Sequence, residues 1–150
     1  MSPTDLQQYL YDHIPLSKAM QVSAEAVTPD AVVLRAPLAP NINHRETVFG
    51  GSASAVAILA AWSLLHTRLR GEGIECRLVI QRNTMEYALP ISGEFTATSA
   101  LEHPEQWAKF LRMFSRMGKA RVSVVSTLEQ GGQHVGHLVG EFVALSSTAS

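Results

Sequence analysis

The sequence predicts an α+β fold in which an antiparallel sheet curls around one long helix. Residues 53–65 form an apolar run that is interrupted only by Ser54 and Ser63. A helix without a polar face is a buried helix, so other structure must enclose it. On both sides of this run, apolar and polar residues alternate with the period of two that half-buried strands have. We expect one continuous helix over 52–69, enclosed by about five or six antiparallel strands.

The residues before this helix are predicted to form a first helix and a hairpin. Ser2-Pro3-Thr4-Asp5 is a typical helix start, and apolar residues then recur at helical spacing until Pro15. From residue 19 the period changes to two, which predicts a strand over 19–26. The turn Thr28-Pro29-Asp30 separates it from a second strand over 31–38, so we expect the two strands to pair.

The rest of the chain is predicted to form two strands, a short amphipathic helix and two further strands, over 74–89, 94–102, 104–118, 120–128 and 135–145. In the first of these strands the apolar residues change parity, which predicts a β-bulge at 81–83. Gly131-Gly132 predicts a tight hairpin turn between the last two strands. No linker interrupts this order, so we expect a single domain over residues 1–150.

The composition is typical of a soluble globular protein, with 46% hydrophobic and 17% charged residues. A net charge of -1 provides no general attraction to nucleic acid or to an acidic membrane. The apolar run over 53–65 is shorter than the roughly 20 residues that span a bilayer. The only cysteine, Cys76, excludes an internal disulfide and a cysteine-based zinc site. The N-terminus lacks the pattern of a signal peptide, and we expect a cytoplasmic protein.

A polar loop enters the long helix through Gly50-Gly51-Ser52. Backbone amides at a helix N-terminus are unpaired and lie at the positive end of the helix dipole. Because glycines let a substrate oxygen approach closely, such a site suits the developing oxyanion of a thioester. The alternative is structural: the glycines only let the loop meet the helix, and Ser52 only caps it. A phosphate-binding loop is not indicated, since no lysine follows the glycines.

The stretch NINHRETVFGGS, followed by AAWSLL, resembles the thioesterase-like branch of the hotdog fold, whose domains occur alone or behind a GNAT-type acetyltransferase. Met85-x-Tyr87 followed by Pro90, and Gly118-Lys119-Ala120-Arg121, also fit this branch. The resemblance covers nearly the whole chain and implies a hotdog dimer, or a dimer of dimers, with active sites at the subunit interface. It implies thioesters of acyl carrier protein or coenzyme A as substrates. Members are described as thioesterases, and some are malonyl-acyl carrier protein decarboxylases.

The resemblance also indicates which residues form the site. It implies catalytic roles for Asn43, Thr47, Gly51 and Ser52. It implies substrate-binding roles for His44, Phe49, Gly50, Tyr87 and Arg121. Asn41, directly after Pro40, is expected to form an ordinary turn. Glu46 and His44 are either acid–base groups or solvated loop residues.

The histidines do not predict a metal site, and we expect neither a metal nor a cofactor. His134 and His137 lie three apart on a predicted strand and should face opposite sides of the sheet. A basic cluster at Arg112, Arg116, Lys119 and Arg121 could bind an acidic carrier protein or the phosphates of coenzyme A. It is equally compatible with a solvated helix end.

No carboxylate occurs over residues 52–69, where many hotdog thioesterases carry the acid that activates water. Hydrolysis would therefore have to use Glu46 or a residue of the partner subunit. Decarboxylation of a malonyl thioester needs neither water nor a base, only an oxyanion site and a pocket that suits carbon dioxide better than a carboxylate. We expect conversion of malonyl-acyl carrier protein to the acetyl form for fatty acid synthesis. Acyl-thioester hydrolysis is the second hypothesis, and a non-catalytic acyl-carrier binding module is the third.

Overall fold

The longest helix of the protein is enclosed by a curled sheet. In the computed structural model, which describes residues 1–147, the chain forms four α-helices and six strands. In chain order these are α1 Pro3–His13, α2 Pro15–Ala19, β1 Ser23–Val27, β2 Val32–Ala36, α3 Gly50–Gly71, β3 Cys76–Tyr87, β4 Phe95–Leu101, α4 Trp107–Met117, β5 Lys119–Gln130 and β6 Gln133–Ser146. The strands form one sheet in the order β1-β2-β4-β5-β6-β3, and every neighbouring pair is antiparallel. The predicted central helix, hairpin and antiparallel sheet are confirmed, and the arrangement is that of the hotdog fold.

Helix α3 lies on the concave face of the sheet, where two serines hold it. Ser99 Oγ donates to the Ala60 carbonyl at 2.8 Å, and Ser126 Oγ donates to the Ala57 carbonyl at 2.7 Å. Both serines are fully buried, and buried hydroxyls need such partners. Their small side chains also allow the helix to approach the strands closely. The sheet therefore determines the position of α3 through hydrogen bonds as well as through apolar packing.

The side of α3 that faces away from the sheet is only partly covered. Tyr9 of α1 packs there, with its ring centroid 6.2 Å from Trp62 and 4.5 Å from His66. Closer to the helix N-terminus, Ala55 and Ile58 stay half-buried although they are apolar. One chain therefore covers the sheet side of this helix and leaves this stripe half-buried.

The strand predicted from residue 19 begins later. Pro15 ends α1 but also starts the short helix α2, because proline is well suited to the first helical turn. A turn with Gln21 at φ 56° then leads into β1. Met20 and Val22 are buried at alternate positions before the strand begins, so their burial imitates the period of a strand.

Besides a register shift between Ala24 and Ala26 of β1, two β-bulges change which side chains face the core. The bulge predicted in β3 is confirmed as a register shift between Ile80 and Arg82. A second bulge was not predicted: Leu128 pairs with Gly136 and Glu129 pairs with His134, so β6 contains one extra residue. This bulge brings the rings of His134 and His137 within 5.5 Å of each other. The prediction that these histidines face opposite sides is therefore wrong, since an extra residue reverses the alternation.

Candidate active site

The polar loop before α3 is folded around the side chain of Asn43. Its Oδ1 accepts hydrogen bonds from the Arg45 amide at 2.8 Å and from the Thr47 amide at 3.1 Å. Its Nδ2 donates to Thr47 Oγ1 at 2.9 Å, and its backbone amide donates to the Thr47 carbonyl at 2.8 Å. Asparagine stabilises turns in this way because its side chain imitates a backbone group. One N–H of the Asn43 amide has no partner within residues 1–147 and is available to a ligand.

Asn41 joins this loop to the core. It is 2% exposed, and its Nδ2 donates to the carbonyls of Met20 at 3.0 Å and Pro37 at 2.8 Å. The backbone carbonyl of Asn41 accepts from the Phe49 amide at 2.8 Å, so the two ends of the loop are held together. The turn expected for Asn41 is present as a single 3₁₀ turn over Ala39–Asn41. Its buried bridging role could have been suspected only from the Asn-x-Asn spacing.

Two free backbone amides lie where the loop meets α3. The carbonyl of Phe49, the residue before the helix, accepts hydrogen bonds from the amides of Ser52 at 2.9 Å and Ala53 at 3.1 Å. No side chain caps this end, and the first turn contains no acidic residue. Within the described residues the amides of Gly50 and Gly51 therefore have no acceptor, at the positive end of a 22-residue helix. The structural alternative for Ser52 is wrong, because it is the third residue of the helix and does not cap it.

Two aromatic rings flank these amides. The Tyr87 hydroxyl donates to the Gly50 carbonyl at 3.3 Å, and a Cβ atom at position 50 would lie 3.4 Å from the Tyr87 ring. A Cβ atom at position 51 would lie 2.4 Å from the Phe49 ring, which is too close. Both rings are more than half exposed. We call the two amides with the rings of Phe49 and Tyr87 the helix entrance.

His44, which was predicted to bind substrate, and Glu46, for which an acid–base role and a solvated position were both left open, lie at the surface. His44 is exposed at the loop tip, where its Nε2 lies 3.4 Å from Arg45 Nε. Glu46 is also exposed and adopts a left-handed backbone conformation with φ 65°. Ser52 is half-buried in the first turn of α3. The structure therefore brings Phe49, Gly50, Gly51 and Tyr87 together beside the loop that Asn43 and Thr47 close.

Arg121 does not reach the helix entrance of its own chain. It pairs across the sheet with Val143, which pairs with Val79 on the other side. Tyr87, at the entrance, pairs with Gly136 of the same strand β6. Val143 lies seven positions after Gly136, which is roughly 23 Å along a strand. Within one protomer, Arg121 and the entrance thus lie towards opposite ends of the sheet.

One unusual titratable group lies outside the entrance. Burial, followed by the charges of Arg70 and His13, lowers the pKa of His66 to about 4. Its ring is stacked on Trp62 with centroids 4.6 Å apart and contacts Tyr9 at a tilt of 31°, and its Nε2 is buried without a hydrogen-bond partner. Nothing in the sequence pattern indicated this environment. It results from the packing of α1 on α3.

Two further properties concern the described part of the chain. Over residues 1–147, no three histidine, cysteine, aspartate or glutamate side chains converge as ligands for a metal ion. None of the helices in that range combines the length and the apolar character needed to cross a membrane.

Comparison with known proteins agrees with this architecture. Residues 3–146 match the family described as "Putative thioesterase (yiiD_Cterm)". A protein of unknown function from Chlorobaculum tepidum is 30% identical, with a TM-score of 0.89 over 97% of this chain and 98% of that chain. A "putative thioesterase" from Shewanella oneidensis is 24% identical, with a TM-score of 0.85 over 95% of this chain and 96% of that chain. A protein from Pseudomonas aeruginosa is 23% identical, with a TM-score of 0.81 over 96% of both chains.

The fold and its family together define a hotdog, thioesterase-like domain that acts on acyl thioesters. Its helix entrance places free amides beside a polar loop, and free amides at a helix N-terminus can stabilise an oxyanion. The chain belongs to the yiiD C-terminal thioesterase-like family.

Proposed function

We propose that this protein decarboxylates malonyl-acyl carrier protein to acetyl-acyl carrier protein, and that the helix entrance is the site of the reaction. The observation that carries the proposal is the combination of two free amides, at Gly50 and Gly51, with a first helical turn that has no acid. Free amides stabilise an oxyanion. A site without a carboxylate in this turn lacks the usual base for activating water.

The reaction breaks the bond between the malonyl carboxylate carbon and the methylene carbon. The electron pair moves into the thioester, carbon dioxide leaves, and the enolate oxygen becomes negative. Protonation of the methylene carbon by water then gives the acetyl thioester. The amides of Gly50 and Gly51, at the positive helix end, would stabilise the enolate oxygen more strongly than the neutral carbonyl of the substrate, which lowers the barrier.

The loop of Asn43 would orient the substrate carboxylate, and the rings of Phe49 and Tyr87 would keep it poorly solvated. The unused N–H of Asn43 is a donor that can hold the malonyl group with its carboxylate perpendicular to the thioester plane. Thr47 orients that amide by accepting its other N–H. The apolar rings of Phe49 and Tyr87 hydrate a carboxylate poorly and therefore favour its conversion to neutral carbon dioxide.

Product analysis tests this proposal against hydrolysis. Malonyl-acyl carrier protein is incubated with the enzyme in D₂O, and the carrier is examined by mass spectrometry. We expect an acetyl carrier with one deuterium in its methyl group. Malonate with free carrier thiol would instead establish a thioesterase, and an unchanged malonyl carrier would favour the non-catalytic binding module.

The two edges of the sheet support a dimer as the active form. Helix α1 covers the β1 edge, where Gln7 accepts from the Ala24 amide at 3.0 Å and Tyr11 donates to the Val22 carbonyl at 2.6 Å. Strand β3, at the other edge, has twelve residues and pairs only with β6 within the described chain. Long open edges are usually paired or protected in native proteins. We therefore expect β3 to pair with β3 of a second copy.

The apolar residues around β3 also require a cover. Five large apolar side chains near this edge are exposed: Ile42, Phe49, Val79, Tyr87 and Leu89. The half-buried stripe of α3 adds Ala55 and Ile58. Since two of these residues belong to the helix entrance, pairing of two copies along β3 would also exclude water from the reacting thioester.

A further inference from the structure

The outer side of helix α4 combines cations with exposed methionines. Lys109, Arg112 and Arg116 recur at spacings of three and four and share one side of the helix. Met113 and Met117 lie among them and are 45% and 70% exposed. These five side chains line one shallow groove. We call them the α4 face.

Strand β5 extends the positive charge of this surface. Lys119 and Arg121 line a cavity of about 370 Å³ between α4 and β5, together with Lys109 and Met113 of the α4 face. Within residues 1–147, none of the five cations on α4 and β5 lies in an ion pair. An unneutralised positive patch on a chain of net charge -1 attracts an acidic partner.

The opposite side of α4 packs against the rest of the domain. Trp107 and Phe110 are buried there, with their ring centroids 4.9 Å apart. The guanidinium of Arg68, from the last turn of α3, lies 4.4 Å above the Trp107 ring. The α4 face is therefore presented by a packed element, which limits the backbone entropy that α4 itself would lose when a partner binds.

The two exposed methionines favour an acidic protein helix over the phosphates of coenzyme A as the partner of this surface. The phosphates of coenzyme A would use the cations, but they would leave the apolar side chains of Met113 and Met117 in water. An amphipathic helix with carboxylates on either side of an apolar stripe would use both features, because helix-in-groove binding needs apolar anchors. Methionine adapts well to such anchors since its side chain is unbranched and flexible.

We propose that the α4 face docks an acidic helix of the acyl carrier protein that delivers the thioester. This inference rests on the proposed function for the identity of the carrier. The cations would accelerate and orient the encounter, and the two methionines would provide the apolar contact that holds the carrier.

Direct binding tests the surface independently of the reaction. Fluorescence anisotropy measures the Kd of labelled holo-acyl carrier protein, without a malonyl group, for wild type and for variants. Arg112→Glu should weaken binding by roughly threefold to fivefold at low salt, the range expected for one exposed ion pair. This effect should shrink in 1 M salt, because the charges are then screened. Lys18→Glu, an exposed lysine on α2, makes the same charge change away from the surface and should have little effect.

Met117→Ser tests the apolar part of the same surface. It should weaken binding roughly threefold to fivefold at both salt concentrations, because burial of apolar area is not screened. If Arg112→Glu and Met117→Ser both bind the carrier as tightly as wild type, the proposal is wrong. The proposal is also wrong if Met117→Ser has no effect while Arg112→Glu weakens the binding of malonyl-coenzyme A as much as the binding of the carrier. The surface would then bind phosphates.

A small substrate separates this proposal from the proposed reaction. Malonyl-pantetheine carries the thioester without a carrier protein, so both variants should decarboxylate it at the wild-type rate. If wild type decarboxylates neither malonyl-pantetheine nor malonyl-acyl carrier protein, the proposed reaction is contradicted, and the carrier Kd remains an independent measurement of docking. Loss of that activity in the variants alone would show that the changes disturb the site, and would overturn a purely docking role.

Discussion

The side chain of Asn43 has a structural task and a proposed catalytic task, and these use different atoms. Its Oδ1 and one N–H close the loop onto Arg45 and Thr47, while the second N–H has no partner in the described chain. A substitution that removes the whole side chain therefore changes both the loop and the site. Aspartate keeps an acceptor for the two loop amides, accepts from the Thr47 hydroxyl instead of donating to it, and removes the free N–H donor.

We therefore predict that Asn43→Asp folds with near-normal stability but loses decarboxylation. The new carboxylate would repel the carboxylate of the substrate and the developing enolate, so turnover should fall by on the order of 10²–10³, as for loss of an oxyanion donor. Loss of the donor should lower kcat, because that contact is made mainly in the transition state, and repulsion of the substrate carboxylate should in addition raise KM. Asn43→Ala should lower kcat and also melt at a lower temperature.

Glu46→Gln is the matched control in the same loop. Because Glu46 is exposed, its removal should leave decarboxylation nearly unchanged. Near-normal decarboxylation by Asn43→Asp together with an inactive Glu46→Gln would contradict the assignment and favour hydrolysis with Glu46 as the base.

His66 predicts a dependence of stability on pH. Its pKa in the folded protein is about 4, below the ordinary value of 6.5, so the folded state binds this proton less readily than the unfolded state. The neutral ring therefore contributes no penalty above pH 6.5, and stability is lost as the pH falls from 6.5 towards 4. His66→Phe keeps a stacked ring beside Tyr9 and Trp62 and cannot be protonated.

Urea unfolding of wild type and His66→Phe at pH 7 and pH 4.5 measures this effect. Between these two pH values, wild type should lose roughly 1–2 kcal/mol more stability than the variant, a figure reduced from the full linkage because the ring is partly solvated. Carboxylates titrate in both proteins, so their contribution cancels in the difference. Equal losses would show that His66 does not carry this acid sensitivity.

At the scale of elements, the N-terminus of α3 is the critical helix end. Gly51 is helical, so alanine there should favour the helix itself by about 1 kcal/mol. Its Cβ atom, however, would lie 2.4 Å from the Phe49 ring and would displace that ring or the helix start. We predict that Gly51→Ala retains or gains thermal stability but loses roughly tenfold or more in kcat, because the oxyanion amides are misplaced or covered.

Gly71→Ala is the matched control for Gly51→Ala. Gly71 is the last residue of the same helix, and a Cβ atom there would have no heavy atom within 4 Å. Its kcat should equal that of wild type. A normal kcat in Gly51→Ala would contradict a role of the helix entrance in the reaction.

At the scale of the whole molecule, the open β3 edge leads us to predict a dimer. Sedimentation equilibrium at micromolar concentration should give at least twice the 16.3 kDa mass of one chain. Val79→Lys places a charge among the exposed apolar residues of this edge and should shift the equilibrium towards monomers. A wild-type protein that sediments only as a monomer would exclude this assembly.

Antiparallel pairing of the β3 edges has a consequence for substrate delivery. It places the Tyr87 end of one strand beside the Cys76 end of the other, which is the end nearer to Arg121 and α4. A carrier docked on the α4 face of one protomer would therefore lie closer to the helix entrance of the second protomer. We predict delivery between subunits.

Mixed dimers purified with two affinity tags test this delivery. When Arg112→Glu and Asn43→Asp are on different chains, one intact docking surface should serve one intact entrance in the other chain, and about half of the wild-type activity should remain at low salt. When both changes are on one chain, activity should be low. The intact docking surface would then serve only the altered entrance, and the intact entrance would depend on the altered docking surface. The reverse order of the two activities would show delivery within one subunit.

The order of elements followed from local patterns. The apolar run over 53–65 predicted a buried helix because no polar face was left for water, and the parity change in β3 predicted a bulge because each extra residue reverses the alternation. The change from helix α1 to strand β1 was misplaced. There Met20 and Val22 are buried without being in a strand, and periodicity cannot distinguish these two situations.

The candidate site was also predictable from the sequence only in part. The sequence by itself determined that a polar, amide-rich loop leads through two glycines into a helix without a carboxylate, because these are properties of neighbouring residues. Only the tertiary structure decided that Tyr87 joins Gly50, that Arg121 lies roughly 23 Å away along the strands, and that His134 and His137 share a side of the sheet. Those relations depend on strand register, which hydrogen bonds between distant segments determine and which no local pattern records.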